Sequence, residues 1–99
     1  MKVVRFGSLS FSWDERKARS NARKHSVRFE EAVTVFLDPL ARVFDDPDHS
    51  VDECRVLLVG RSLTGRCLLV AHTDRADTIR IISARRLTPR ERREYQDDA

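Results

Sequence analysis

Residues 55–85 read RVLLVGRSLTGRCLLVAHTDRADTIRIISAR, and their punctuation spells out three strands in succession. Arg55 to Arg61 is an almost continuous apolar run. Ser62-Leu-Thr-Gly65 has the composition of a hairpin turn, and Cys67 to Thr73 forms its partner strand. Asp74-Arg-Ala-Asp77 is a second tight turn, leading into Thr78 to Arg85. Strands joined by such short turns run antiparallel, so this stretch predicts a meander.

Upstream, Leu40 to Phe44 (LARVF) is a further short strand candidate, and Asp45-Asp46-Pro47-Asp48 is a loop. Phe29 to Leu37 is helical, because Phe29, Ala32, Val33 and Phe36 fall on one stripe, and Asp38-Pro39 stops it. Trp13 to Phe29 (WDERKARSNARKHSVRF) holds an earlier helix that ends near His25. Asp14 is its N-cap, Glu15 suits the dipole of its first turn, and Ala18 and Ala22 give a small packing face. Residues 3–6 (VVRF) and 9–13 (LSFSW) read as extended. Downstream, Thr88, Pro89 and Glu91 make a capping box for a charged final helix. The class is α+β: two N-terminal helices packed on one face of a small antiparallel sheet, then a C-terminal helix, in a single domain spanning 1–99.

The chain has 99 residues, a net charge of +3 and 19 basic side chains, all arginine except Lys2, Lys17 and Lys24. Arginine offers phosphate a planar, bidentate fork that lysine lacks. The charge is unevenly spread. Residues 39–54 carry Asp45, Asp46, Asp48, Asp52 and Glu53 against Arg42 alone, whereas residues 55–93 carry ten arginines against Asp74, Asp77 and Glu91. The strand-rich half is therefore a basic block. Cys54 and Cys67 sit apart in apolar surroundings and lack zinc-ligand spacing. Asp45 to Glu53 (DDPDHSVDE) gathers carboxylates and a histidine, but neither spacing nor order fits a metal cage, so it reads as an acidic loop and no metal is expected. The N-terminus has no apolar run of signal-peptide length and nothing approaches a membrane span, so a cytoplasmic protein is expected.

Lys17, Asn21, Lys24 and His25 stand at i, i+4, i+7 and i+8 of the first helix, which predicts one face carrying two cations, an amide and an imidazole. Such a face is either solvated surface or a phosphodiester-binding face, with His25 able to move a proton near neutral pH. On the last strand a period of two puts Arg80 with Thr78, Ile82 and Ala84, and Arg85 with Ile79, Ile81 and Ser83 on the other side. Arg80 is costly to bury alone, so it either pairs with an acid such as Glu53 or meets a ligand. Arg85 and Arg86 end the strand, where arginines can stabilise a pentavalent phosphate. His72 falls on the face of Leu68 and Val70 and reads as a satisfied structural residue. Tyr95, the sole tyrosine, is a packing contact or a catalytic or base-stacking group.

Read in order, FSWDERKARSNARKHSVRFEEAVTVFLDP, FDDPDHS, RVLLVGRS with GRCLLVAHT, and IRIISARRLTPRERREY resemble the BrnT family of type II toxin–antitoxin toxins. The resemblance covers nearly all of residues 9–95. It implies a RelE-like fold, RNA cleavage that shuts down translation, and no metal or other cofactor. It implies a BrnA-type antitoxin partner with a ribbon-helix-helix DNA-binding part, the complex repressing its own promoter DNA. By position it implies catalytic roles for Arg80, Arg85 and Tyr95, joined by Glu53, Arg61 and His25, with Lys17, Asn21, Lys24 and Arg86 binding RNA. Ser26 departs from the family, which often has glycine after Lys-His, and Cys54 replaces a common acid. The rival reading is a non-catalytic nucleic-acid-binding or co-repressor module acting with the antitoxin, since that too needs a basic surface.

Overall fold

The computed structural model describes residues 1–46 and 54–96. The chain opens with β1 (Lys2–Phe6) and β2 (Leu9–Trp13), followed by α1 (Glu15–His25) and α2 (Phe29–Thr34), the latter continuing into a 3-10 turn at Val35–Leu37. Then come β3 (Arg42–Asp45), β4 (Val56–Arg61), β5 (Cys67–Arg75), β6 (Thr78–Arg86) and α3 (Pro89–Gln96). The strands described form one sheet in the order β1-β2-β6-β5-β4-β3.

The predicted meander is present, with β3 to β6 antiparallel throughout. The sheet as a whole is mixed, which corrects the all-antiparallel expectation. The segments read as extended at 3–6 and 9–13 form a hairpin, and β2 lies parallel to β6 through Phe11↔Ile79 and Ser12↔Arg80. The helices are thus inserted between strands of one sheet instead of standing ahead of it. Burial explains the docking: Phe11 and Trp13 are completely shielded and need both a sheet neighbour and a helical cover.

That cover is α1 and α2. Phe11, Trp13, Val27, Phe29, Leu68, Val70, Ile81 and Ala84 form the main core between helices and sheet. Trp13 meets Phe29 edge-on at 5.8 Å between ring centroids, and Phe11 meets Phe36 at 4.9 Å. His72 lies in this core with its ring 5.0 Å from that of Phe36. It is not satisfied as expected: neither ring nitrogen has a hydrogen-bond partner among the described residues. Burial pushes its pKa down, only partly opposed by Asp74, so the neutral ring is favoured. The helices are not confined to one face, as the sequence reading had it. α3 crosses to the opposite side, where Tyr95 and Leu87 pack with Phe44, Leu57, Val59 and Leu69.

Asn21 holds α1 to the sheet. It is buried, and its Nδ2 donates to the Ala84 carbonyl at 2.8 Å and the Val27 carbonyl at 2.9 Å, while its Oδ1 accepts from the Ala84 N–H at 3.0 Å. The carboxamide stands in for the strand that β6 lacks once its short pairing with β2 has ended. α1 then stops at Ser26, which caps the helix in the left-handed region at φ 57° and donates its N–H to the Ala22 carbonyl. Serine carries there the Cβ strain that glycine escapes.

Two substitutions test this frame by urea denaturation. Asn21→Ala leaves three buried backbone groups without partners and should cost about 3 kcal/mol. Ser26→Gly should add about 1 kcal/mol by relieving the left-handed backbone; a loss of stability would show that the residue is unstrained.

Candidate nucleic-acid interface

β6 carries a bulge. His72 pairs with Ile81 but Ala71 pairs with Ser83, so Ile82 is the extra residue. Alternation resets there. Ile79 and Ile81 point into the helix-side core before the bulge, and Ala84 does so after it. Arg80, Ser83 and Arg85 consequently share the face opposite the core, which corrects the strict period-of-two reading that set Arg80 and Arg85 on opposite faces. Thr73 stands across from Arg80, Leu69 across from Arg85, and Ser12 of β2 beside Arg80. Two guanidinium groups thus stand on one sheet face, while the Ser12 and Thr73 side chains beside Arg80 are buried and Thr73 Oγ1 donates to the Cys54 carbonyl at 2.9 Å.

The two arginines differ in state. Arg80 is half-buried, its Nη1 lies 3.9 Å from Met1 Sδ, and no carboxylate pairs with it among the described residues. Its expected acidic partner, Glu53, lies outside the described residues. Arg85 is clamped: Nη1 and Nη2 donate to Glu91 Oε1 and Oε2 at 2.7 and 2.9 Å. Glu91 also completes the predicted capping box, accepting from the Thr88 N–H at 3.0 Å while its own N–H donates to Thr88 Oγ1 at 3.1 Å. The Arg85 guanidinium, with Thr88 assisting, holds the Glu91 carboxyl down to about 2, and Glu91 in turn raises Arg85. The sequence shows Glu91 as a cap residue; its second role depends on α3 folding back over the strand end that precedes it.

Tyr95 lies near Arg85 on this side. Its ring lies 4.7 Å from that of Phe44, and its carbonyl accepts from Arg42 Nη1 at 3.0 Å. Arg61 is exposed at the end of β4, and Arg86 is exposed at the end of β6.

The helix face does not join them. Lys17, Lys24 and His25 are exposed on α1, which packs on the core side of the sheet. Asn21 is withdrawn from that face altogether, because its amide is consumed by Val27 and Ala84, so it is not an RNA contact. One anchor escaped the sequence reading. Glu31 of α2 accepts from Ser62 Oγ at 2.7 Å, Thr64 Oγ1 at 2.6 Å and Arg66 Nε at 2.9 Å, and Arg66 Nη2 also bonds to Glu31 Oε1 and to the Ser26 carbonyl. Arg66 foremost holds the Glu31 carboxyl down to about 2. This latch pins the β4–β5 hairpin to both helices. Its only sequence signal is an acid on the polar side of α2.

A sheet face carrying Arg80 and Arg85 on a small α+β domain has the charge that suits an anionic ligand. The family model described as "Ribonuclease toxin, BrnT, of type II toxin-antitoxin system" matches residues 13–91, and the chain belongs to that family. The crystal structure of the Brucella abortus ribonuclease toxin BrnT is similar to this chain, with 25% identity and a TM-score of 0.64 over 79% of this chain and 95% of that one. No curated protein matches. Membership in a type II toxin–antitoxin family implies a cognate antitoxin. Among the described residues no helix is long and apolar enough to cross a membrane.

Glu91→Gln retains a side chain competent for the capping box and weakens only the pair with Arg85. Glu91 is depressed from 4.5 to about 2, so its contribution is complete above pH 4.5 and is lost as pH falls toward 2. With Arg85 partly open to solvent, the variant should lose about 1 kcal/mol at pH 7. Acid titration of its stability by circular dichroism should be flatter between pH 4.5 and 2 than that of the parent.

Proposed function

We propose that the protein acts in the cytoplasm as a metal-independent endoribonuclease whose cleavage of RNA halts translation. A BrnA-type ribbon-helix-helix antitoxin neutralises it, and the complex of the two binds promoter DNA. The observation that carries the reaction is Arg80: a guanidinium with no carboxylate partner among the described residues, on the same open face as Arg85. An arginine placed so invites an anion, and the phosphodiester supplies one.

In this reaction the RNA 2′-hydroxyl attacks the adjacent phosphorus and the bond to the 5′-oxygen breaks, leaving a 2′,3′-cyclic phosphate and a 5′-hydroxyl. One proton leaves the nucleophile and one reaches the leaving oxygen. Arg80 and Arg85 hold the phosphate and offset the charge that grows on its equatorial oxygens. Arg85 reaches the phosphate when the RNA displaces Glu91, whose carboxylate occupies the same fork. Glu91 itself is a poor base, because its proton affinity is so low. Tyr95, which shares the surroundings of Arg85, handles the proton. His25 lies in the helical layer and would take that part only for RNA that wraps the sheet edge. Lys17 and Lys24 then contact flanking phosphates, and Arg61 and Arg86 contact RNA at the strand ends.

Arg80→Ala should lower RNA cleavage by about a hundredfold and relieve growth arrest when the protein is made without its antitoxin. Undiminished toxicity would remove Arg80 from the mechanism. With purified protein in EDTA, RNA should be cut and an all-deoxy analogue left intact. Failure to cut either would favour the non-catalytic co-repressor reading.

A further inference from the structure

Arg61 lies between two concavities of different chemistry. On one side, a pocket of about 410 Å³ at the β4–β5 hairpin is lined by Arg61, Arg66, Arg86 and Arg92 together with Gly65 and Leu87. Arg66 is neutralised by Glu31. Among the described residues the others are not: Arg61 Nη1 donates to the Gly65 carbonyl at 3.3 Å, and Arg86 and Arg92 are exposed with no carboxylate partner. Three like charges converging on one hollow repel one another until an anion enters.

On the other side, a cleft of about 300 Å³ is walled by Leu40, Val59, Gly60, Arg42, Arg61 and Tyr95, with Asp38 at its edge. Leu40 is 83% exposed, an apolar side chain left without cover. Tyr95 is braced by Phe44, and Arg42 by both Phe44 and the Tyr95 carbonyl. Gly60 is required here, because a Cβ would lie 2.9 Å from both Ala41 Cβ and Asp38 Oδ2. Asp38 already accepts from the Leu40 and Arg61 backbone N–H groups at 2.9 and 2.8 Å, and its charge disfavours phosphate on this side. Phosphate therefore belongs to the arginine pocket, and a flat, partly apolar group belongs to the cleft.

The structure assigns these two concavities to one nucleotide of single-stranded RNA flanking the cleaved step, its phosphate among Arg61, Arg86 and Arg92 and its base against Leu40 and Val59. This subsite rests on the ribonuclease reading and extends it by naming where the flanking strand is held. A base enters such a cleft only when unstacked, which selects single strands over duplex. Both concavities lie beside α3, since Arg92 lines one and Tyr95 the other, so the strand would run along that helix away from Arg80.

The test is fluorescence anisotropy with a labelled single-stranded RNA that is 2′-O-methylated throughout and so cannot be cut. Removing both exposed arginines (Arg86→Ala with Arg92→Ala) should weaken binding about tenfold and shrink the slope of log affinity against log salt by about one. Leu40→Ala should weaken binding severalfold with the slope unchanged, because it removes a base contact and no charge. Matching melting curves confirm that the variants are folded. Parental affinity and slope in the double variant overturn the proposal. So does a double variant that binds RNA normally yet loses capture of the cognate antitoxin, which makes the pocket a protein-docking surface. Cleavage of unmodified RNA by the parent is scored separately. Cleavage with an indifferent double variant sinks the subsite alone, and loss of binding in that variant without any cleavage by the parent sinks the nuclease reading alone.

Discussion

Everything on the open face depends on how β6 is held after its bulge. A strand needs partners on both sides or exposure to water, and β2 accompanies β6 only through Ile79 and Arg80. Beyond that point the Asn21 carboxamide takes over, giving and accepting a hydrogen bond at Ala84 as a strand would. The clamp keeps Ala84 facing the helices, and alternation then sends Ser83 and Arg85 to the other side. The same side chain ties α1 to Val27, so the helical layer and the register of β6 are set by one amide.

The bulge and the clamp together explain a division between the two faces. On β6, Ile79, Ile81 and Ala84 go to α1 and α2, and Arg80 and Arg85 go to the face that α3 covers only at one end. Buried beneath helices, those guanidinium groups would need carboxylates to offset desolvation. On the open face Arg80 does without one among the described residues, and Arg85 borrows one from α3. The capping box of α3 therefore has two consequences: it starts a helix, and it places an acid in the fork of Arg85. On the proposed reading an anionic substrate would compete with Glu91 for that fork, which would link binding at the sheet to the seating of α3.

Latches of this kind recur at the β4–β5 hairpin. Glu31 gathers two hydroxyls and a guanidinium, which immobilises the turn that carries Gly65 and the ends of β4 and β5. Asp38 accepts from the Arg61 backbone N–H. Arg61 is thus positioned by two carboxylates that do not neutralise its own side chain, and it remains available to a ligand.

By itself the sequence determined what is local: three strands from apolar runs between turn residues, α1 from the Asp14 cap to His25, α2 from a helical stripe, and the Thr88–Glu91 box that starts α3. Its motif blocks also carried the family, because several separated segments retain their order. Tertiary structure alone decided the rest. A period-of-two reading cannot see an inserted residue, so it puts Arg80 and Arg85 on opposite faces, whereas pairing with β5 leaves Ile82 as the extra one. A helical wheel cannot tell a surface amide from a buried one, so it groups Asn21 with Lys17 and Lys24 although the backbone of β6 claims it. The parallel contact of β2 with β6, the crossing of α3 to the far face and the meeting of Arg61, Arg86 and Arg92 each join residues far apart in the chain. Such encounters follow from how apolar faces are buried and backbone groups paired across the whole fold, which no local pattern records.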